Sequence, residues 1–464
     1  FASAGYPVNL LRDEIIGEAN YQIRRLRNHP CIVIWCGCNE DIYSWDYPEQ
    51  IEDDSQKDSS NIYSKEDDEN KWKVNRLKDD PQIYTMILRG LIDKIGLDVP
   101  YIESSPSSRD DYGNMPNSGN SHISCWKYAL FESEGKPAQF RKHFEKVCSF
   151  NSEFCIQGPC KEKTFKKFFS PDNLWPPNQA WIYHIQRGHK LLPHYEQTIF
   201  IAESLFGKID CLQKYVKFGQ ATHVEMMRAE FESARRDRPN NGGTMVWMFN
   251  DCWPTSNWSI IDYYRNPKPA FYAAKRACAT LLPIIFERSG KIEFFFSNDS
   301  SKDIEVKLNY GQETLLGKQI WSKQKTIIIN KNSTALFDTI EKNKMLFPMG
   351  DFLYIDAIVN NKEMPRVIYF PDGWKNIQWP YPNIEVELIN QEFFKGEWYT
   401  HIQLHTDSFV RLCHIILKED NSDISFSDNY FDMSTGSKRE ICIQSKKKID
   451  TNSLIIGHWW TKWE

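Results

Sequence analysis

The sequence predicts an α/β portion followed by an all-β portion, and three observations carry that reading. Residues 31–36, Cys31-Ile32-Val33-Ile34-Trp35-Cys36, form a short apolar run closed by Asn39-Glu40. This suits a buried parallel strand, which delivers reactive side chains at its C-terminal end. Just before it, Ile15, Ile16, Ala19, Ile23 and Leu26 recur near helical spacing, so helix and strand make one αβ unit. After Pro283 the texture changes to short β-rich runs separated by polar clusters, the mark of antiparallel sandwiches.

Taken in order, the helix over 13–26 has Asp13 and Glu14 early and Arg24 and Arg25 late, matched to its dipole. The strand over 31–36 follows. Residues 45–80 are polar and acidic and read as an exposed insertion, with Trp45 the one residue there that could reach a ligand. A helix over 84–95, a strand over 99–106, a Ser/Asn/Gly-rich loop over 107–121 and a short strand over 121–123 come next. Phe150-Asn151-Ser152-Glu153-Phe154 is a second short apolar segment broken by an acid, and Gln157-Gly158-Pro159 behind it signals a turn. The Lys-rich piece 161–167 reads as a solvated helix face. Helices over 197–206 and 211–235 lead to a strand over 245–249. The β-rich runs are 291–297, 304–308, 326–329 and 352–359, then a Pro/Trp-rich linker over 371–382, then 384–389, 399–405, 409–417 and 441–444.

Composition narrows the functional classes. A chain of 464 residues, 41 % hydrophobic, can bury large cores and should hold two or three domains. A net charge of −5 carries no nucleic-acid footprint. No apolar run approaches the ~18 residues that cross a bilayer. Sixteen Trp in a chain that is 14 % aromatic suit ligands with flat apolar faces, although many will be core. The 12 Cys are scattered, with no Cys-x-x-Cys and no His-Glu-x-x-His, so neither a metal nor another cofactor is expected. Cys31, Cys36 and Cys148 read as reduced thiols inside core strands, which leans toward a reducing compartment without fixing the localisation. Nothing in the sequence gives the oligomeric state.

Glu40 and Glu153 carry the chemistry. Two carboxylates at the ends of two barrel strands suit glycoside hydrolysis, in which one protonates the departing oxygen and the other attacks the anomeric carbon or activates water. The competing reading of Glu40 is a strand end that meets solvent.

The segment Arg27-Asn28-His29-Pro30 through Trp35-Cys36-Gly37-Cys38-Asn39-Glu40 resembles the acid/base motif of family 2 glycoside hydrolases, in their β-mannosidase-like branch. Ser152-Glu153-Phe154-Cys155-Ile156-Gln157 resembles that branch's nucleophile segment. Gly243-Thr244-Met245-Val246-Trp247-Met248-Phe249-Asn250-Asp251-Cys252-Trp253-Pro254 is similar to its last barrel strand, and Lys268-Pro269-Ala270-Phe271-Tyr272-Ala273-Ala274-Lys275-Arg276 to the helix after it. Gly119-Asn120-Ser121-His122 resembles the family's Gly-Asp-x-His, whose His lies in the sugar pocket. Cys38 departs from the usual small polar residue, Cys155 from the usual Gly and Met248 from a frequent Gln. None of these removes a carboxylate.

The resemblance implies a partial (β/α)8 TIM barrel, about strands 4–8, over 1–283, followed by Ig-like β-sandwiches over 284–372 and 383–464. It implies retaining hydrolysis of terminal β-D-mannose, with Glu153 as nucleophile and Glu40 as acid/base. Asn39 would bond the sugar 2-hydroxyl, Trp247 would floor the pocket, and His122 and Trp45 would line it. Asn250 and Asp251 are expected to fix a turn. The chain opens on Phe1, and the resemblance places two β-domains and three barrel strands before it, so a fragment is expected whose own activity is open. A related exo-glycosidase acting on β-galactoside, β-glucuronide or β-glucosaminide, and an inactive sugar-binding module, remain as alternatives.

Overall fold

A computed structural model describes residues 8–40, 83–107, 118–145, 148–185, 193–371, 373–418, 424–461 and 463. They fall into two compact units, residues 1–123 with 147–153, and residues 124–146 with 154–464.

In the first unit, α1 (Val8–Leu26) buries Ile15, Ala19 and Ile23, one stripe at a four-residue repeat, in a core with Cys38, Ile83, Tyr84, Leu88, Ile92 and Ile95. The helix starts earlier than its hydrophobic spacing predicts, so Asp13 and Glu14 sit beyond the first turn, while Arg24 and Arg25 do occupy the last. Helical turns from Ile83 run into α2 (Arg89–Ile95). The first strand is later than predicted. β1 is Trp35–Asn39 and pairs in parallel with β2 (Tyr101–Ser105), Trp35 opposite Tyr101 and Asn39 opposite Ser105. Pairing starts where Trp35 N–H donates to Pro100 O at 2.8 Å, so the apolar residues before it never enter the ladder. Cys31, Val33 and Ile34 are accordingly exposed; Cys36, although paired in β1, is exposed as well, and Cys38 is buried. Gly37 is required in β1, because a Cβ there would stand 2.6 Å from Glu103 O.

None of the 12 cysteines forms a disulfide. The short strand predicted over 121–123 is a single parallel bridge from Ser121 to Asn151. β3 (Asn151–Phe154) passes into the second unit at Phe154, whose carbonyl accepts from Trp247 N–H just after β4 (Thr244–Val246). Among the described residues these short strands form no closed barrel.

The second unit holds the helices α3 (Glu162–Phe168), α4 (Gln179–Ile185), α5 (His194–Phe206), α6 (Leu212–Arg236) and α7 (Pro269–Ala277). The Lys-rich helix presents a solvated face as predicted, with Lys166 and Lys167 exposed, while Thr164 and Phe165 are buried. α6 is buried on most of its circumference and takes Glu225, Glu230, Glu232, Arg235 and Arg236 inside with it.

Two antiparallel sandwiches follow. The first packs β5 (Leu281–Arg288), β6 (Lys291–Asn298) and β9 (Ser333–Glu341) on a sheet of β7 (Ile304–Glu313), β8 (Gln319–Ile329), β10 (Phe352–Val359), β11 (Lys362–Glu363) and β12 (Val367–Tyr369). Its core takes alternate residues, Phe294 and Phe296 from β6, Val306, Leu308 and Tyr310 from β7, and Leu353, Ile355, Ala357 and Val359 from β10. The second packs β13 (Ile384–Phe394), β14 (Glu397–Thr406), β16 (Ile424–Phe426) and β18 (Lys438–Ser445) on β15 (Val410–Leu417), β17 (Phe431–Met433) and β19 (Leu454–Gly457). Between the sandwiches, Trp374 and Trp379 of the Pro/Trp-rich stretch are buried rather than solvated. Among the described residues no helix is long and apolar enough to cross a membrane.

Candidate active site

Glu40 follows β1 directly. Its N–H donates to Ser105 O at 2.8 Å, carrying the ladder one residue past Asn39. Its φ of 62° lies in the left-handed region. For a residue with a Cβ this costs roughly 1–2 kcal/mol, and such strain persists where surrounding structure enforces it.

Glu153 comes from β3. Ser121 N–H donates to Phe150 O at 2.9 Å and Glu153 N–H to Ser121 O at 3.4 Å, so residues 121 and 151 lie side by side in parallel. The Asn151 amide holds the same junction by donating to Ile123 O at 2.9 Å. Upstream, Ser107 and Asn120 exchange backbone hydrogen bonds, which returns the chain to the end of β2. His122 is thereby carried between the two acids.

The His122 ring is 2 % exposed. Its Nδ1 lies 2.9 Å from Glu40 Oε1 and 3.9 Å from Glu153 Oε2. Its Nε2 meets Ser105 Oγ at 2.9 Å. One oxygen from each carboxylate and the ring nitrogen all lie within 4.8 Å of one another. The side chains of Glu40 and Glu153 keep 33 % and 21 % of their surface, so both acids are open to a ligand while the histidine is not. The same three donors could surround a divalent ion, but Glu40 and His122 already engage each other by a direct hydrogen bond that an ion would displace.

Of the residues singled out from sequence, Glu40, His122 and Glu153 come together. Asn39 closes β1 opposite Ser105 and is half-buried. Trp247 belongs to the second unit and is 46 % exposed. Trp45 lies outside the described residues. Asn250 donates to Asp251 O at 3.3 Å and Ser259 to Asp251 Oδ2 at 2.7 Å, a turn-fixing arrangement as predicted. Sequence reasoning missed three residues. Ser105, Asn120 and Ser152 form a hydroxyl–amide cluster behind His122, with Ser105 to Asn120 at 2.9 Å and Ser152 to Asn120 at 2.7 Å. The available signal was position: Ser105 ends a parallel strand, and the other two flank His122 and Glu153 within the quoted motifs.

A family model for an Ig-fold domain of mannosidases matches residues 380–458. Over 97 % of its length the chain is 31 % identical to a protein named β-mannosidase B in Aspergillus oryzae and 27 % identical to one in Emericella nidulans. The chain is β-mannosidase-like. It spans about half the length of these curated relatives, 52 % of each. The fold of this β-mannosidase-like chain also matches a β-D-mannosidase from Dictyoglomus thermophilum, with a TM-score of 0.78 at 24 % identity over 99 % of the chain and 52 % of that protein. An exo-chitosanase from Amycolatopsis orientalis matches with a TM-score of 0.65 at 15 % identity, over 97 % of the chain and 53 % of its own. These two likenesses concern the fold.

Proposed function

We propose that the whole protein is a retaining exo-glycosidase that removes terminal, non-reducing β-D-mannose. Residues 1–283 contribute strands to a (β/α)8 barrel, and two Ig-like sandwiches, 284–372 and 383–464, support it. Glu153 attacks the anomeric carbon while Glu40 protonates the leaving oxygen. Glu40 then takes a proton from the water that releases the sugar from Glu153. The observation carrying this reading is the approach of one Glu40 oxygen and one Glu153 oxygen to within 4.8 Å. Retaining enzymes hold their carboxyls about 5–5.5 Å apart, whereas inverting ones leave roughly 6.5–9.5 Å for an intervening water.

Asn39, one residue before Glu40, is assigned to the sugar 2-hydroxyl, where a hydrogen bond strengthens in the transition state and where mannose differs from glucose. Trp247 is assigned to the pocket floor and Trp45 to contact with the sugar, while the buried His122 stands behind the acids. The sugar assignment rests on the names of the relatives. A panel of nitrophenyl β-glycosides assayed on the whole polypeptide tests it. The β-mannoside should be cleaved fastest, and equal or faster release from the β-galactoside, β-glucuronide or β-glucosaminide would overturn the choice of sugar.

A further inference from the structure

We infer that the second unit carries a binding site for a sugar phosphate, in a cavity of about 670 Å³ beside the first sandwich. Every lining residue belongs to that unit, whereas Glu40 and Glu153 belong to the first. The walls are the helical turns Pro137–Glu145, the end of α5, the β5–β6 turn, the loop after β9 and the linker over 370–377. The volume falls in the range of small-molecule pockets, roughly 300–1,000 Å³. In this wall Arg141 is held ready for an anion. Its guanidinium lies 4.8 Å from the Tyr369 ring and 5.2 Å from each of the Phe140 and Trp374 rings, which fix its plane. Among the described residues it donates no hydrogen bond, and Glu225, 3.7 Å away, is already bonded by Arg411. A stacked guanidinium with its N–H edges unspent suits two-point bonding of a phosphate. Lys142 follows Arg141 and Lys375 follows Trp374, so three cations border the same cavity. Both lysines are exposed and unpaired among the described residues.

The other charged groups of the lining are spent on protein partners, with one exception. Lys342 bonds Glu287 at 3.0 Å, Arg288 lies 3.6 Å from Asp237 and 3.7 Å from Glu293, and Asp351 accepts from Gln312 at 2.8 Å. The exposed Glu145 is the one acid left open among the described lining residues, so three cations against it leave a surplus of two positive charges. A phosphate monoester brings about −1.5 to −2 at pH 7. The rest of the wall favours a sugar over a nucleotide base. Trp374 is covered by Arg141 and stacks on Phe206 at 5.7 Å, and Phe370 is enclosed by Phe352, Trp379 and Phe409 at 5.7, 5.3 and 5.8 Å. Neither buried ring keeps a face for a base to stack on. Leu205 and Ile377 add aliphatic surface, and the exposed Gln139 and Asn376 amides each offer donor and acceptor, which suits ring hydroxyls.

Calorimetric titration of the whole protein with glucose 6-phosphate, glucose, inorganic phosphate and adenosine monophosphate tests this. Glucose 6-phosphate should bind at least roughly tenfold more tightly than each of the other three, since only it meets both the cations and the amides. Arg141→Met should weaken its binding by about tenfold or more, the worth of a charge-assisted hydrogen bond, and the double variant Lys142→Glu with Lys375→Glu should do the same. Should Arg141→Met fail to fold, the double variant decides alone, because both lysines are exposed. No saturable binding of glucose 6-phosphate, or the same affinity in wild type and the double variant, would overturn the inference. Equal or tighter binding of inorganic phosphate, glucose or adenosine monophosphate would overturn the assignment to a sugar phosphate.

Discussion

Glu153 and Glu225 are both acids set among buried groups, but their surroundings differ. Glu225 on α6 keeps 5 % of its side-chain surface and is bonded by Arg411, which is itself 3 % exposed and also bonds Asp432 at 2.7 Å. Arg141 lies 3.7 Å from the other Glu225 oxygen. Burial alone would push this carboxyl up, yet Arg411, Arg141 and Arg228 together hold it below the ordinary carboxylate range. Guanidinium groups cannot release a proton at any working pH, so Glu225 has a fixed charge. Glu153 instead keeps about a fifth of its surface and has as neighbours one imidazole and a second acid. A dry acid compensated by arginines is held as part of the structure, whereas a partly exposed acid is open to a ligand.

The largest effect expected from that contrast is on turnover. In the whole protein, Glu40→Gln should lower kcat by roughly 10²–10⁴-fold on substrates with poor leaving groups. Glu153→Ala should cost at least as much on every substrate. The urea midpoint should hardly move in either case, because neither acid anchors the core. Near-normal turnover in either variant would break the comparison on the catalytic side.

On the structural side, Arg411→Met leaves Glu225 and Asp432 without their shared guanidinium, and removing one partner of a buried pair costs about 3–5 kcal/mol. Urea unfolding reads this. Adding Glu225→Gln should recover part of the loss, and no recovery would mean that Arg411 acts through packing on Trp374 and Trp379, whose rings lie 6.0 and 5.6 Å from it.

Two further buried groups sharpen the comparison through pH. Burial pushes the Glu230 carboxyl from 4.5 up to about 7, although it accepts Cys125 N–H at 2.6 Å. Between these values the folded protein binds the extra proton, so the Glu230 contribution is complete at the acid end and falls as pH rises, by about 3 kcal/mol. Burial pushes His414 the other way, from 6.5 down to about 4. There the unfolded chain binds the extra proton, so stability falls by about 3 kcal/mol as pH drops through that window. The two slopes oppose each other across the overlap. Relative to wild type, Glu230→Gln should gain stability steadily from pH 4.5 to 7. A flat difference would show that Glu230 is ionised throughout.

The smallest expected effect is at Gly158. A Cβ there would fall inside the buried His223 ring, so Gly158→Ala should cost about 1–3 kcal/mol through overpacking. Unchanged stability would mean that the ring has room to turn away.

Much of this was legible in the chain. Ile15, Ala19 and Ile23 announced the stripe of α1, and the β-rich runs 291–297 and 352–359 announced two sandwich strands, because residue preference and spacing are local properties. Glu40, His122 and Glu153 were legible as short motifs. The apolar run before Trp35 misled, since a strand forms where a partner's carbonyls begin, and Trp35 is where the chain meets Pro100 O, just before β2. The burial of Trp374 and Trp379 was hidden for a similar reason: composition cannot tell a solvated linker from one seated on a core.

The sequence by itself determined which groups can hold and release protons, and which segments have a buried face, because residue identity and spacing set both. Only the tertiary structure decided that His122 turns Nδ1 toward Glu40 and Nε2 toward Ser105. Those orientations come from backbone hydrogen bonds among β1, β2, residues 118–122 and β3, segments remote in sequence, and a hydrogen bond is set by distance and angle, which no single segment contains.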